Sequence, residues 1–226
     1  MALEIAFLSY PDLTQLDLTG PFEFLSKLEG VHCTTVWKER GPVRSDSGLI
    51  LHAELRLAEM PKPDVLCIPG GPGQMPLMED PEVLSWIAEA GASARYVTSV
   101  CVGSLLLGAA GLLEGYRATC HWASLPFLSA YGALASEERV VKDRNRITGG
   151  GVTAGIDFGI ALAAELSSVS VAQEIQLALE YDPAPPFDCG HPRVAPEATV
   201  NRVRQRFAAR LERRAEQAAR YRNSAR

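Results

Sequence analysis

The chain has no run of about 18 apolar residues, so it offers no candidate for a membrane-spanning helix. A secretory leader is not predicted either. MALEIAFLSYPDL carries Glu4 where a basic region belongs and breaks at Pro11, and a cytoplasmic location is the expectation. There is no CxxC pair, and five cysteines (33, 67, 101, 120 and 189) are an odd number. That argues against a disulfide framework and a structural zinc site. Cys33 and Cys67 fall in apolar strand-like runs and read as small buried hydrophobes. Internal repeats and low-complexity blocks are also missing. What is present is 226 residues at 47% hydrophobic content, enough for one large globular domain with appendages.

Charge is uneven. Residues 199–226 hold nine Arg against two Glu, about +7, which leaves about −12 for the rest of a chain whose net charge is −5. A basic tail can contact nucleic acid. A solvated or dimer-packed helix with Arg on its outer face is the preferred reading, and no nucleic-acid partner is expected.

Apolar strands alternate with helical patterns. Strands are predicted at Leu3–Ser9, Val31–Trp37, Asp64–Ile68, Tyr96–Val100 and Arg117–Cys120, with hairpins over residues 41–52 and 138–148. Helices are predicted at Pro21–Leu28, Pro81–Ala92, Gly103–Ala110, Trp122–Ala130, after the glycines at 149–151, and at Ser170–Tyr181. A proline-rich connection at 183–196 leads into a basic C-terminal helix. The alternation means an α/β domain with a mainly parallel sheet. Ligands in such sheets bind beyond the carboxyl ends of the strands. Gly70–Gly71, Cys101 and Gly149–Gly151 all fall at such ends.

Cys101 sits in YVTSVCVGSLLLGAAG, between a β-branched run and small residues. A side chain at a sharp strand-to-helix turn projects above the sheet, and the strained backbone demands small neighbours such as Gly103 and Ser104. A helix N-terminus favours an anion, so the sequence predicts a thiolate of lowered pKa. The Val102 N–H is placed to donate to an oxyanion. A lone cysteine in an apolar stretch usually just packs; the strand–Cys–small–helix order favours the nucleophile. Two further elements accompany it. Gly70 and Gly71, in PGGPG, can turn backbone N–H groups toward a crevice as the second oxyanion donor, or simply make a turn. Asp17, among leucines before a helix start, is either a helix cap or a carboxyl of raised pKa beside the thiol, fit for proton transfer.

FLSYPDLTQLDLTGPFEFL, CIPGG, YVTSVCVGSLLLGAAGLL, RATCHWA and ITGGGVTAGIDFGIALAAEL, in this order, resemble the ThiJ/PfpI superfamily, relatives of class I glutamine amidotransferases. LDLTGP, WKERGPV, LMEDP, TSVC and LEYDPAPPF are similar to its isocyanide hydratase branch. The resemblance implies a flavodoxin-like three-layer sandwich: a catalytic domain over residues 1–182, then an arm and helix over 183–226 packed on the core or a dimer partner. It makes Cys101 the nucleophile and Asp17 the proton carrier, with Gly70, Gly71 and the Val102 amide holding sulfur or developing charge. It implies a small-molecule isocyanide as substrate, no metal or organic cofactor, no membrane partner, and a homodimer. Related sequences often carry Thr or His directly after the nucleophile; Val102 has no side-chain donor there.

His121, in CHWAS, reads equally as a pocket residue or a satisfied core histidine. An amidotransferase-type triad needs a carboxylate two residues later, where this chain has Ala123. Gly150 either lets the backbone approach the pocket or makes a helix-opening turn. Other superfamily activities such as glyoxalase-type hydration or peptidase action, a regulatory module, and a cysteine redox sensor stay open beside the hydratase. The peptidase is disfavoured by Asp17 in place of Glu, and the regulator by the absence of about 100 further residues for a DNA-binding part.

Overall fold

The computed structural model describes residues 2–60 and 62–224. Met1, Pro61 and the last two residues, where the basic segment ends, lie outside the described residues.

The chain runs β1 (Leu3–Leu8), α1 (Gln15–Leu25), β2 (Val31–Trp37), β3 (Gly41–Arg44), β4 (Ile50–Ala53), β5 (Leu55–Arg56), β6 (Val65–Ile68), α2 (Gln74–Leu77), α3 (Pro81–Ser93), β7 (Tyr96–Val100), α4 (Gly103–Ala109) and β8 (Arg117–Ala118). It continues through β9 (Leu134–Ala135), β10 (Val140–Asp143), β11 (Arg146–Gly149), α5 (Ala154–Leu166), α6 (Val169–Ala178) and α7 (Glu197–Ser224). The main sheet has the order β10-β11-β7-β6-β1-β2-β5. Its pairings are parallel except β10–β11. With helices packed around it, this is the expected flavodoxin-like α/β arrangement. β6 is buried at every position, as suits a strand covered on both faces.

Register positions the site. Ile68 pairs with Ser99, and Gly149 with Val100. The chain therefore leaves β6, β7 and β11 at neighbouring points, and Pro69–Gly70, Cys101 and Gly150 emerge side by side.

Two elements differ from the sequence expectation. The first helix begins at Gln15, so Pro21 lies inside it and Asp17 in its first turn. Proline there forfeits one hydrogen-bond rung, but its ring fits against α5. A side chain added at Gly155 or Gly159 would meet Pro21 at 3.3 or 3.0 Å. The expected helix at Trp122–Ala130 is a 3-10 segment, Leu125–Tyr131, opened by a proline in its first turn.

Candidate functional site

Cys101 lies between β7 and α4 with φ +57°. That left-handed conformation is costly for any residue with a Cβ. It is over-determined by what surrounds it. The Cys101 N–H donates to the Gly149 carbonyl at 3.0 Å. A Cβ on Gly103 would fall 2.2 Å from the Ile68 carbonyl oxygen, so α4 can begin there only with glycine. Ser104, fully buried, donates to the Thr119 carbonyl at 2.6 Å and its hydroxyl pairs with Ser99 at 2.8 Å. The small neighbours thus let the turn close and clamp it to β7 and to the segment after β8.

Asp17 is 2% exposed. Its Oδ2 accepts the Gly70 N–H at 2.8 Å, its Oδ1 has no hydrogen-bond partner among the described residues, and the Cys101 thiol is near enough to favour its charged form. Burial pushes this carboxyl up to about 7, against the pull of the Gly70 hydrogen bond and the Cys101 thiol; the nearby Asp46 charge adds to the rise. A proton acceptor and donor poised at neutral pH stands beside the sulfur.

The thiol itself departs from the sequence expectation. Burial drives the Cys101 pKa up, well above its ordinary value, and the Asp17 charge adds to this. The neighbouring Val102 N–H pulls the other way. α4 is only seven residues long, so its dipole cannot outweigh the loss of water. Burial thus opposes ionisation of the sulfur, with the Asp17 carboxyl beside it.

The glycine loop also behaves differently from the expectation. The Gly70 N–H is committed to Asp17, so it orients the carboxyl instead of serving as a free oxyanion donor. Gly71, at φ +126°, turns the chain so closely beneath Thr14 that a Cβ would sit 2.3 Å from the Thr14 nitrogen. His121 packs its ring against Trp122 and Phe207, and Nδ1 accepts the Ala123 N–H at 3.3 Å. Burial, aided by the Arg214 charge, lowers its pKa to about 4 and keeps it neutral. Gly150 donates to the Arg139 carbonyl, with the Cys120 carbonyl near its open face.

Residues that sequence reasoning passed over also surround this corner. Gln74, at the start of α2, is fully buried with neither side-chain polar atom bonded among the described residues. Arg214, on α7, is 9% exposed and donates through Nη1 to Ser124 Oγ at 2.9 Å. No periodicity signal links a basic tail to a loop 90 positions earlier. A cavity of about 320 Å³ between α7 and the Leu125–Tyr131 segment is lined by Met78, Glu79, Tyr131, Gln217, Arg220 and Tyr221. It includes neither Cys101 nor Asp17. All five cysteines are free thiols, and among the described residues no three His, Cys, Asp or Glu side chains form a metal-holding group.

Residues 3–165 match the model of the DJ-1/PfpI family. An isonitrile (isocyanide) hydratase of Pseudomonas putida is 53% identical over 216 residues, covering 96% of this chain and 95% of that protein. The crystal structure of a ThiJ/PfpI family protein from Pseudomonas syringae superposes with a TM-score of 0.94 at 43% identity, covering 96% of this chain and 91% of that one. A DJ-1 superfamily protein from Salmonella typhimurium, at 26% identity, superposes with a TM-score of 0.70 over 80% of this chain and all of that one.

Proposed function

The chain belongs to the DJ-1/PfpI family, and within that family we propose that it is an isocyanide hydratase, a hydro-lyase that adds water to R–N≡C to give the N-substituted formamide. The observation that carries the reading is the Cys101 thiol on a strained turn beside a buried carboxyl whose pKa burial raises to about 7. The near full-length likeness to the Pseudomonas putida hydratase supports the choice of substrate class.

The steps follow from the two groups. Asp17 carboxylate takes the thiol proton as sulfur attacks the electrophilic terminal carbon of the isocyanide. The new C–S bond leaves an electron pair on that carbon, and Asp17 returns the proton to it. The product of this half is a thioimidate, R–N=CH–S–Cys101. Asp17, again a carboxylate, then draws a proton from water as the water oxygen attacks the same carbon, and passes a proton to nitrogen. Collapse of R–NH–CH(OH)–S–Cys101 breaks the C–S bond, with the hydroxyl proton returning through Asp17 to sulfur. R–NH–CHO leaves. Each transfer uses a group whose pKa lies near the working pH, the condition for efficient acid–base catalysis. The Val102 N–H steadies sulfur as its charge changes. Val102 offers no side-chain hydroxyl to hold the water, so that task falls to Asp17.

The partner is then a small isocyanide. We further read the protein as a cytoplasmic homodimer in which residues 1–182 form the catalytic domain and 183–226 an arm and helix. Among the described residues no helix is long and apolar enough to cross a membrane. The test is direct: purified protein is mixed with an aryl isocyanide and formamide is followed by absorbance. Turnover supports the reading. No turnover, from protein whose Cys101 still alkylates, rejects isocyanides as the substrate class.

A further inference from the structure

Thr14 joins the Asp17 carboxyl to a hairpin that lies outside the main sheet. Its N–H donates to the Gly70 carbonyl at 3.0 Å, and its own carbonyl accepts the Asp17 N–H at 3.0 Å. Gly70 in turn donates its N–H to Asp17 Oδ2 at 2.8 Å. The three bonds close a ring that fixes Asp17 at both its backbone and its carboxyl. Gly71 lets the two segments come this close, since a Cβ there would run into the Thr14 nitrogen.

The Thr14 hydroxyl is used elsewhere. Thr14 is the N-cap residue of α1, where a threonine hydroxyl ordinarily accepts an N–H of the first turn. No such side-chain cap forms here. The hydroxyl donates instead to Asp46 Oδ2 at 2.9 Å, across 32 positions of chain. Asp46 lies in the loop between β3 and β4, which form a two-stranded sheet of their own. Two main-chain bonds seat this hairpin on the same segment: Asp12 N–H to the Arg44 carbonyl at 2.8 Å, and Asp46 N–H to the Leu13 carbonyl at 3.0 Å. A threonine kept for helix stability alone would cap its helix. This one ties a separate element to the residue that is bonded to both Gly70 and Asp17.

We propose that Thr14 is a positioning residue for Asp17 and that the β3–β4 hairpin acts through it: the Thr14–Asp46 bond holds the Thr14–Gly70–Asp17 ring in place, so that the carboxyl keeps its position beside Cys101 through successive proton transfers. The inference rests on the reading of Asp17 as the proton carrier. It gives the hairpin a task in the reaction, although none of its side chains touches the reacting atoms.

The test uses four full-length variants. Thr14→Val removes the hydroxyl and keeps the side-chain shape, Thr14→Ser keeps the hydroxyl, Asp46→Ala removes the acceptor, and Thr14→Val with Asp46→Ala closes the cycle. Amide hydrogen exchange at Gly70, followed by NMR, reports the bond to Asp17 without any substrate. It should quicken about fivefold in Thr14→Val and in Asp46→Ala, the worth of about one hydrogen bond, and no further in the double variant. Thr14→Ser should stay within about twofold of wild type, and amides of β6 and β7 should keep their wild-type rates in every variant. With an aryl isocyanide, kcat should fall about fivefold in Thr14→Val and Asp46→Ala at unchanged KM and recover in Thr14→Ser.

Wild-type exchange at Gly70 in Thr14→Val and Asp46→Ala overturns the inference. So do a Thr14→Ser variant that falls as far as Thr14→Val, single effects that add in the double variant, equal quickening in β6 and β7, or an unchanged kcat beside quickened Gly70 exchange. If Thr14→Val does not fold, Asp46→Ala, in an exposed loop, decides by the same two readouts. Wild-type protein that turns over no isocyanide counts against the hydratase reading, and the exchange comparison then decides whether Thr14 holds Asp17.

Discussion

Gly70 donates its backbone N–H to Oδ2 of Asp17 at 2.8 Å, and a Cβ on Gly70 would lie 2.8 Å from that same oxygen and 2.7 Å from the Val102 nitrogen. One glycine therefore sets the distance between the Asp17 carboxyl and the Val102 amide. Gly70→Ala should push both aside. Overpacking of this kind costs about 1–3 kcal/mol, and formamide production should fall at least about tenfold because a small displacement of reacting groups is expensive. Denaturant melts and steady-state rates on the purified variant check both; an alanine enzyme with wild-type kcat would show that this spacing is not critical.

Asp17→Asn keeps an acceptor for the Gly70 N–H and removes the titrating group. The expected loss in kcat is on the order of 100-fold or more. A near wild-type rate would leave Asp17 as a first-turn carboxylate of α1 with no part in proton transfer.

The same substitution has a stability consequence of opposite sign. Burial raises the Asp17 carboxyl to about 7 in the folded chain, against its ordinary value of 3.8. Between those values the folded state binds more protons than the unfolded one, so stability falls as pH rises from about 4 to about 7 and is then flat. The cost of ionising the buried group reaches up to about 4 kcal/mol. Asp17→Asn should therefore unfold at higher denaturant than wild type at pH 8, with the gap closing by pH 4. Equal midpoints at pH 8 would mean that the carboxylate is not strained by its surroundings.

Cys101→Ser preserves side-chain size at the φ +57° turn, and the Cys101 N–H to Gly149 carbonyl bond is untouched. The variant should fold with wild-type circular dichroism and produce no formamide. Serine in this dry site keeps its proton, since an alcohol is far harder to ionise than a thiol.

Much of this site is written locally in the chain. The run YVTSVCVGS carries strand, nucleophile and small residues in their order of use, and the clash that Gly103 avoids with Ile68 is the physical reason for that smallness. Asp17 among leucines announces a carboxyl of raised pKa because burial follows from its immediate neighbours. Other features were out of reach for tertiary reasons. Pro21 looks like a helix start until Gly155 and Gly159 provide a groove for its ring. The direction of the Cys101 shift depends on how completely the folded chain buries the sulfur. Gly70 is recognisable as a turn residue, but its partner Asp17 is 53 positions away. Arg214 reads as one of nine arginines in a solvated helix until Ser124 takes its Nη1.

The central claim is that Cys101 becomes covalently attached to the isocyanide carbon during turnover. Acid quench of wild type and Asp17→Asn within milliseconds of mixing with an aryl isocyanide, followed by peptide mass mapping, tests it. The account predicts an adduct on the Cys101 peptide equal in mass to the whole isocyanide, because S–H adds across one carbon with nothing lost. Formamide produced with no adduct on Cys101 in either protein, or produced by Cys101→Ser, would contradict it.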